Sequence, residues 1–306
     1  MIKIILALLL LAIFGCSSEP EKERPLDRLF YSSEKIVQKF KHLSLVAIDS
    51  LSITGKSHLE HTVSIDSFFP EEKINHIKLK RLMKSLSTAP LTGKGEIDLR
   101  SQSTPVVSQW DGTCSAHGLT AAIETTLADP FQKLSERHVW SGYRTYSCEA
   151  AIKEWSGTDD CITLNSAWPH GSRIPYPTYK MSHNCFTYLK ATTYIEDDLQ
   201  KMINALDQDH AVYLAISVTK SMLNCDTALD PNSSTTGGGH GLAIVGYKLD
   251  ASVKGGGYFI IKNSWGTGCA DNGYQYVPFY YCQRGDMYCM MWTIDSVTSV
   301  SSGASR

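Results

Sequence analysis

Two apolar runs near the C-terminal end, Leu242 to Tyr247 and Tyr258 to Lys262, constrain the fold more than any other feature. Both are rich in β-branched and aromatic residues, which suit the pleated surface of a sheet. The connection between them, Lys248 to Gly257, is polar and glycine-rich and reads as a hairpin loop. Antiparallel pairing then brings the end of the second strand close to the beginning of the first. Those ends carry Asn263 and His240, the latter behind Gly237, Gly238 and Gly239 at the mouth of its strand. An amide oxygen on Asn263 can accept the far N–H of His240, fixing the ring's tautomer and plane so that its other nitrogen can act as a base. Singly, His240 also suits a satisfied strand-end histidine and Asn263 a turn residue.

A nucleophile for that base lies in Gln109-Trp-Asp-Gly-Thr-Cys-Ser-Ala-His-Gly118. After Cys114, the residues Leu119, Ala122, Ile123, Thr126 and Leu127 recur at three- and four-residue steps until Asp129-Pro130, which predicts an amphipathic helix starting at the cysteine. A helix N-terminus lowers a cysteine pKa through its unpaired N–H groups and positive dipole end. The competing reading of Cys114 is half of a disulfide or a small buried residue. His117, one turn along the same helix, is a rival base, but the glycine setting favours His240. His138, His170, His183 and His210 read as surface or packing histidines.

Ile4 to Phe14 is an uninterrupted apolar run after Lys3, too short to span a bilayer and suited to a secretory signal. Its end, Ile13-Phe14-Gly15-Cys16, resembles a bacterial lipobox, which implies a lipid on Cys16 and an exported, membrane-anchored lipoprotein of the bacterial cell envelope or surface. Export allows disulfides. Nine cysteines occur, and setting aside Cys16 and Cys114 leaves seven, at 148, 161, 185, 225, 269, 282 and 289. Seven is odd, so at least one thiol stays unpaired, and spacing does not reveal the pairing. No tandem Cys-x-x-Cys pattern suggests a metal. With 29 basic against 31 acidic side chains, a net charge of -2 gives no basic surplus for nucleic-acid binding.

The expected organisation is a signal peptide over 1–15, a polar linker over 16–25, a pro-segment-like or accessory region over 26–92, a main domain over 96–298 and a flexible tail over 299–306. Helical spacing marks Leu26 to Leu43 and Pro70 to Leu86, with short β-branched stretches at Leu45 to Ile48 and Thr62 to Ile65. Thr88 to Gly95 is a cluster of breakers that separates this region from the main domain. In the main domain, 110 to about 200 reads as helical and loop-rich, and 211 to 298 as strand-rich, including Val212 to Val218.

Four segments together resemble the papain-like cysteine proteases over about residues 96 to 295. They are Pro105-Val-Val-Ser-Gln-Trp-Asp-Gly-Thr-Cys-Ser-Ala116, Leu134-Ser-Glu-Arg137, Gly238-Gly-His-Gly-Leu-Ala-Ile-Val-Gly-Tyr247 and Lys262-Asn-Ser-Trp-Gly266. The resemblance implies an α+β fold of two lobes, one helical and one β-rich, with the active-site cleft between them. It implies Cys114 as nucleophile, His240 as general base and acid, Asn263 as orienter, Gln109 as oxyanion-hole donor, and Trp265 as a shield of the His-Asn bond bordering the substrate. The substrate class is peptide or protein, with no cofactor. Two departures stand out. Asp111 and Ser115 replace the family's cysteine and aromatic beside the nucleophile, and Gln109 lies one residue nearer Cys114 than usual, enough to shift its amide by a few ångströms. The alternatives are a catalytically silent surface protein of this fold that binds peptides or a partner, and acyl transfer to an amine.

Overall fold

A computed structural model describes residues 63–64, 90–169 and 185–300 of the chain. The chain divides into two compact units, 1–54 and 55–306, and every described residue belongs to the second. The signal peptide, the linker, Cys16, both N-terminal helical stretches and Leu45 to Ile48 therefore lie outside the described residues, as do His170 and His183.

The strands are β1 (Val63–Ser64), β2 (Glu96–Asp98), β3 (Ile162–Thr163), β4 (Cys185–Glu196), β5 (Val212–Thr219), β6 (Thr235–Leu249), β7 (Gly257–Lys262), β8 (Tyr274–Pro278) and β9 (Cys289–Ser299). They form one antiparallel sheet in the order β3-β4-β9-β5-β6-β7-β8, with β1 and β2 also pairing with β6. The expected hairpin is present, with Ala243 opposite Lys262 and Leu249 opposite Gly257. β5 is buried along its whole length, because β6 and β9 flank it and both of its faces are covered. Among the described residues the α-helices, with the Cys114 helix first, are α1 (Cys114–Leu127), α2 (Glu136–Tyr143), α3 (Cys148–Trp155), α4 (Leu199–Leu206) and the single turn α5 (Lys220–Leu223).

The caps of these helices follow local chemistry. Ser135, Ser147 and Asp198 accept backbone N–H groups at the starts of α2, α3 and α4. α1 has no such side-chain cap, because the Thr113 hydroxyl donates instead to Trp110 O. α1 stops at Ala128, which adopts a left-handed φ of 56° just before Asp129-Pro130.

Three expectations change. α1 is buried at every position from Cys114 to Thr125, so it is a central helix enclosed on all sides rather than an amphipathic surface helix. β6 starts at Thr235, five residues before His240, so the histidine lies mid-strand and opposite Ile216 of β5 rather than at the strand's mouth. β4 replaces the helical reading of the stretch before residue 200.

Candidate active site

The helix bearing Cys114 meets the strand bearing His240 through two glycines. A Cβ on Gly118 would lie 2.6 Å from Leu242 N and 2.7 Å from Gly241 C, and one on Gly241 would lie 2.9 Å from Ser115 Cα and 3.0 Å from Cys114 O. Only hydrogen at both positions permits this approach. It brings the Gly241 N–H, adjacent in the chain to His240, to bear on the Cys114 sulfur. Burial pushes the Cys114 thiol up to about 12, against the lowering pull of the N–H groups of Gly241, Ser115 and Cys114 itself. The expected lowering by N–H groups at the helix start is present, but complete enclosure outweighs it.

His240 Nε2 and Asn263 Oδ1 are 2.9 Å apart, both residues buried. The indole of Trp265 stacks on the imidazole with ring centroids 4.7 Å apart and 21° between planes. The Gln109 segment is tied to the Asn263 segment as a short antiparallel ladder, with Gln109 N donating to Ser264 O (2.7 Å) and Gly266 N to Val107 O (3.2 Å). The Ser264 hydroxyl donates to Gln109 Oε1 at 2.6 Å, so the amide nitrogen faces the nucleophile loop, where it donates to Asp111 O at 2.8 Å. Between Gln109 and Cys114, Asp111 has a φ of 41°, a left-handed value that aspartate tolerates better than most residues. The structure thus gathers Gln109, His240, Asn263 and Trp265, and places Cys114 against the histidine's strand.

The rival histidine is engaged elsewhere. His117 Nδ1 lies 2.9 Å from Thr113 O, and since a carbonyl only accepts, that nitrogen carries the hydrogen. Its ring packs edge-on against Trp110. His138 accepts from Thr163 N, and burial lowers its pKa to about 4, a packing role. The cysteines also resolve: Cys161–Cys185, Cys225–Cys269 and Cys282–Cys289 are bridged, and Cys148 is the odd thiol, buried against Gly241. Among the described residues, no cluster of three potential metal ligands occurs.

A buried ionic network behind the site escaped sequence reading. Glu124 of α1 accepts from Thr104 Oγ1, from Leu134 N (2.7 Å) and from Lys133 Nζ (3.0 Å), and Lys133 also pairs with Glu136. Lys262, next to Asn263, donates to Thr104 Oγ1 at 2.9 Å and lies 3.8 Å from Glu124. Burial lowers Lys262 to about 8 despite Glu124. For Glu136, burial works to raise the pKa, but Lys133 prevails and holds it at about 2. The network joins α1 to β7, and the signal for it was the set of charged residues flanking apolar cores at 124, 133, 136 and 262.

The papain family cysteine protease profile matches residues 95–292, well over half of the chain and every site segment. The chain belongs to the papain family of cysteine proteases. It is a cysteine peptidase with the two-lobe α+β fold, and the family's substrates are peptides or proteins. Among related sequences, Peptidase 1 of Euroglyphus maynei is 25% identical over 84% of this chain and 82% of its own length. A cathepsin B-like cysteine proteinase 6 of Caenorhabditis elegans is 23% identical over 73% of this chain and 66% of its own. Two solved structures share the fold at 18% identity. The crystal structure of xylellain, a cysteine protease from Xylella fastidiosa, has a TM-score of 0.56 over 82% of this chain and 99% of its own. Digestive procathepsin L 3 of Tenebrio molitor larval midgut has a TM-score of 0.55, covering 90% and 94%.

Proposed function

We propose that this peptidase cleaves peptide bonds with Cys114 as nucleophile, His240 as base and acid, Asn263 as orienter and Gln109 as oxyanion donor. The bond between His240 Nε2 and Asn263 Oδ1 carries the reading, because it leaves Nδ1 as the basic nitrogen on the strand whose next N–H acts on Cys114. The Cys114 proton passes to that nitrogen, and the thiolate bonds to the substrate carbonyl carbon. The oxyanion draws N–H groups from the uncapped start of α1 and from the Gln109 amide, which already faces this loop. The C–N bond breaks as His240 returns the proton to the leaving amine, and water, deprotonated by His240, releases the acid and regenerates the thiol.

The region before residue 92 acts on this reading as a pro-segment. β1 pairs with Gly238 and Gly239, the two residues immediately before His240, so the N-terminal region contributes a strand beside the catalytic histidine. The full burial of Cys114 fits an occluded site. Thr92 and Lys94 hydrogen-bond to Gln200 and Asp207 of α4 and the helix end that follows, which favours their staying with the main domain after a cut in the breaker cluster that begins at Thr88. The lipobox-like end of the leader supports export and anchoring through Cys16.

Iodoacetamide labelling tests the catalytic reading. Cys114 in the cleaved chain reacts near neutral pH and loses that reactivity in His240→Ala. The burial of Cys114 also suits a catalytically silent peptide-binding protein, and a cleaved chain whose Cys114 reacts only at strongly alkaline pH establishes that alternative. Labelling with a radioactive fatty acid, lost in Cys16→Ser, tests the anchor.

A further inference from the structure

We infer that Gln275 is a positioning residue of this catalytic site: it sets the amide of Asn263, and through it the tautomer of His240. The inference rests on the catalytic reading above. Gln275 is on β8, fully buried, and its Nε2 is 3.0 Å from Asp226 O and 3.4 Å from Met222 O. Both neighbours are carbonyls and only accept, so the amide nitrogen must face them and Oε1 must face the other way. Oε1 is 2.9 Å from Asn263 Nδ2, and this oxygen can only accept, so the donor side of the Asn263 amide is committed to Gln275.

The remaining orientation follows. Asn263 Oδ1 accepts the Ser264 N–H at 2.7 Å and meets His240 Nε2 at 2.9 Å, so Nε2 must be the protonated nitrogen. Each step in the chain from Asp226 O to His240 admits one direction of hydrogen bonding. An apolar residue at 275 would leave the Asn263 Nδ2 buried without its acceptor, which favours amide rotation and removes the oxygen from the imidazole. The Cys225–Cys269 bridge holds the carbonyl at the start of this chain, since Asp226 follows Cys225 directly and Cys269 lies in the loop between Asn263 and Gln275.

The oxygen of Asn263 stabilises the imidazolium form, so its misplacement lowers the His240 pKa. In Gln275→Leu, of nearly unchanged size, the alkaline limb of kcat/KM moves down by about half to one pH unit and kcat falls about tenfold, with KM little changed. Gln275→Glu retains an acceptor for Asn263 and keeps more activity than the leucine variant below neutral pH, where the buried carboxyl is protonated. A packing role demands the reverse order, because leucine preserves the apolar contacts and glutamate introduces a buried acid. The measurements are pH profiles of kcat/KM, iodoacetamide rates at Cys114 and melting temperatures, made on the full chain and on the form it yields by cleavage. A leucine variant with wild-type profile, or one whose activity loss is matched by lost melting temperature with an unmoved alkaline limb, overturns the inference alone. A wild-type chain whose Cys114 never reacts near neutral pH overturns the catalytic reading, and this inference with it.

Discussion

Gln109 shows how a single residue's role depends on its neighbours' donors and acceptors. Ser264 holds Oε1, so the nitrogen has to face the nucleophile loop despite the shortened spacing. Gln109→Ala is expected to lower kcat by about a hundred- to a thousandfold with a small change in KM, the loss typical of one oxyanion donor, as steady-state kinetics will read. His138 yields a stability prediction. Its folded pKa near 4 lies below the ordinary histidine value of 6.5, so the unfolded chain binds the proton more readily. Stability is therefore full above about pH 6.5, falls as pH drops from there to 4, and levels off below, a loss of about 3 kcal/mol. Urea melts across that range check it, and His138→Phe should flatten the slope.

At the level of elements, α1 and β6 are held at a distance that a methyl group would violate. Gly118→Ala gains about 1 kcal/mol of helix propensity, but its Cβ would lie 2.6 Å from Leu242 N and 2.7 Å from Gly241 C, backbone atoms that cannot swing aside. The clash wins, and a net destabilisation of about 2 kcal/mol is expected in thermal melts, with Cys114 reactivity reduced as the helix shifts. The hairpin of β6 and β7 was legible because the paired halves, Leu242 to Tyr247 and Tyr258 to Lys262, are short apolar runs joined by a glycine-rich breaker loop. β4 was not, because its pairing with β9 shifts register between Leu189 and Ala191, between Ala191 and Thr192 and between Tyr194 and Glu196, so no period of two survives in the sequence. The start of β6 was misplaced for a related reason: glycines at 237 to 239 read as a loop, yet β5 and β1 on either side supply the pairing that keeps them extended.

Across the whole molecule, Glu124 joins α1 to Lys133 and, through Thr104, to Lys262 beside Asn263. Glu124→Gln leaves two lysines without their shared carboxylate, and a loss of about 3 to 5 kcal/mol is expected in denaturant titrations, the usual result of removing one partner of a buried pair. Removal of residues 17–89 should bring Cys114 alkylation from strongly alkaline pH towards neutrality, since enclosure is what raises the thiol to about 12; an unchanged profile would count against the pro-segment. The sequence by itself determined the β6–β7 hairpin, the helix starting at Cys114 and the odd cysteine count, because residue type, breaker placement and spacing encode local backbone, and the two-lobe fold class followed from its resemblance to the papain family. The tertiary structure alone decided the Gln275 relay, the Glu124 network, the disulfide partners and the enclosed state of Cys114. Those depend on atoms from segments far apart in the chain meeting within a few ångströms, and no local pattern records where a buried donor finds its acceptor.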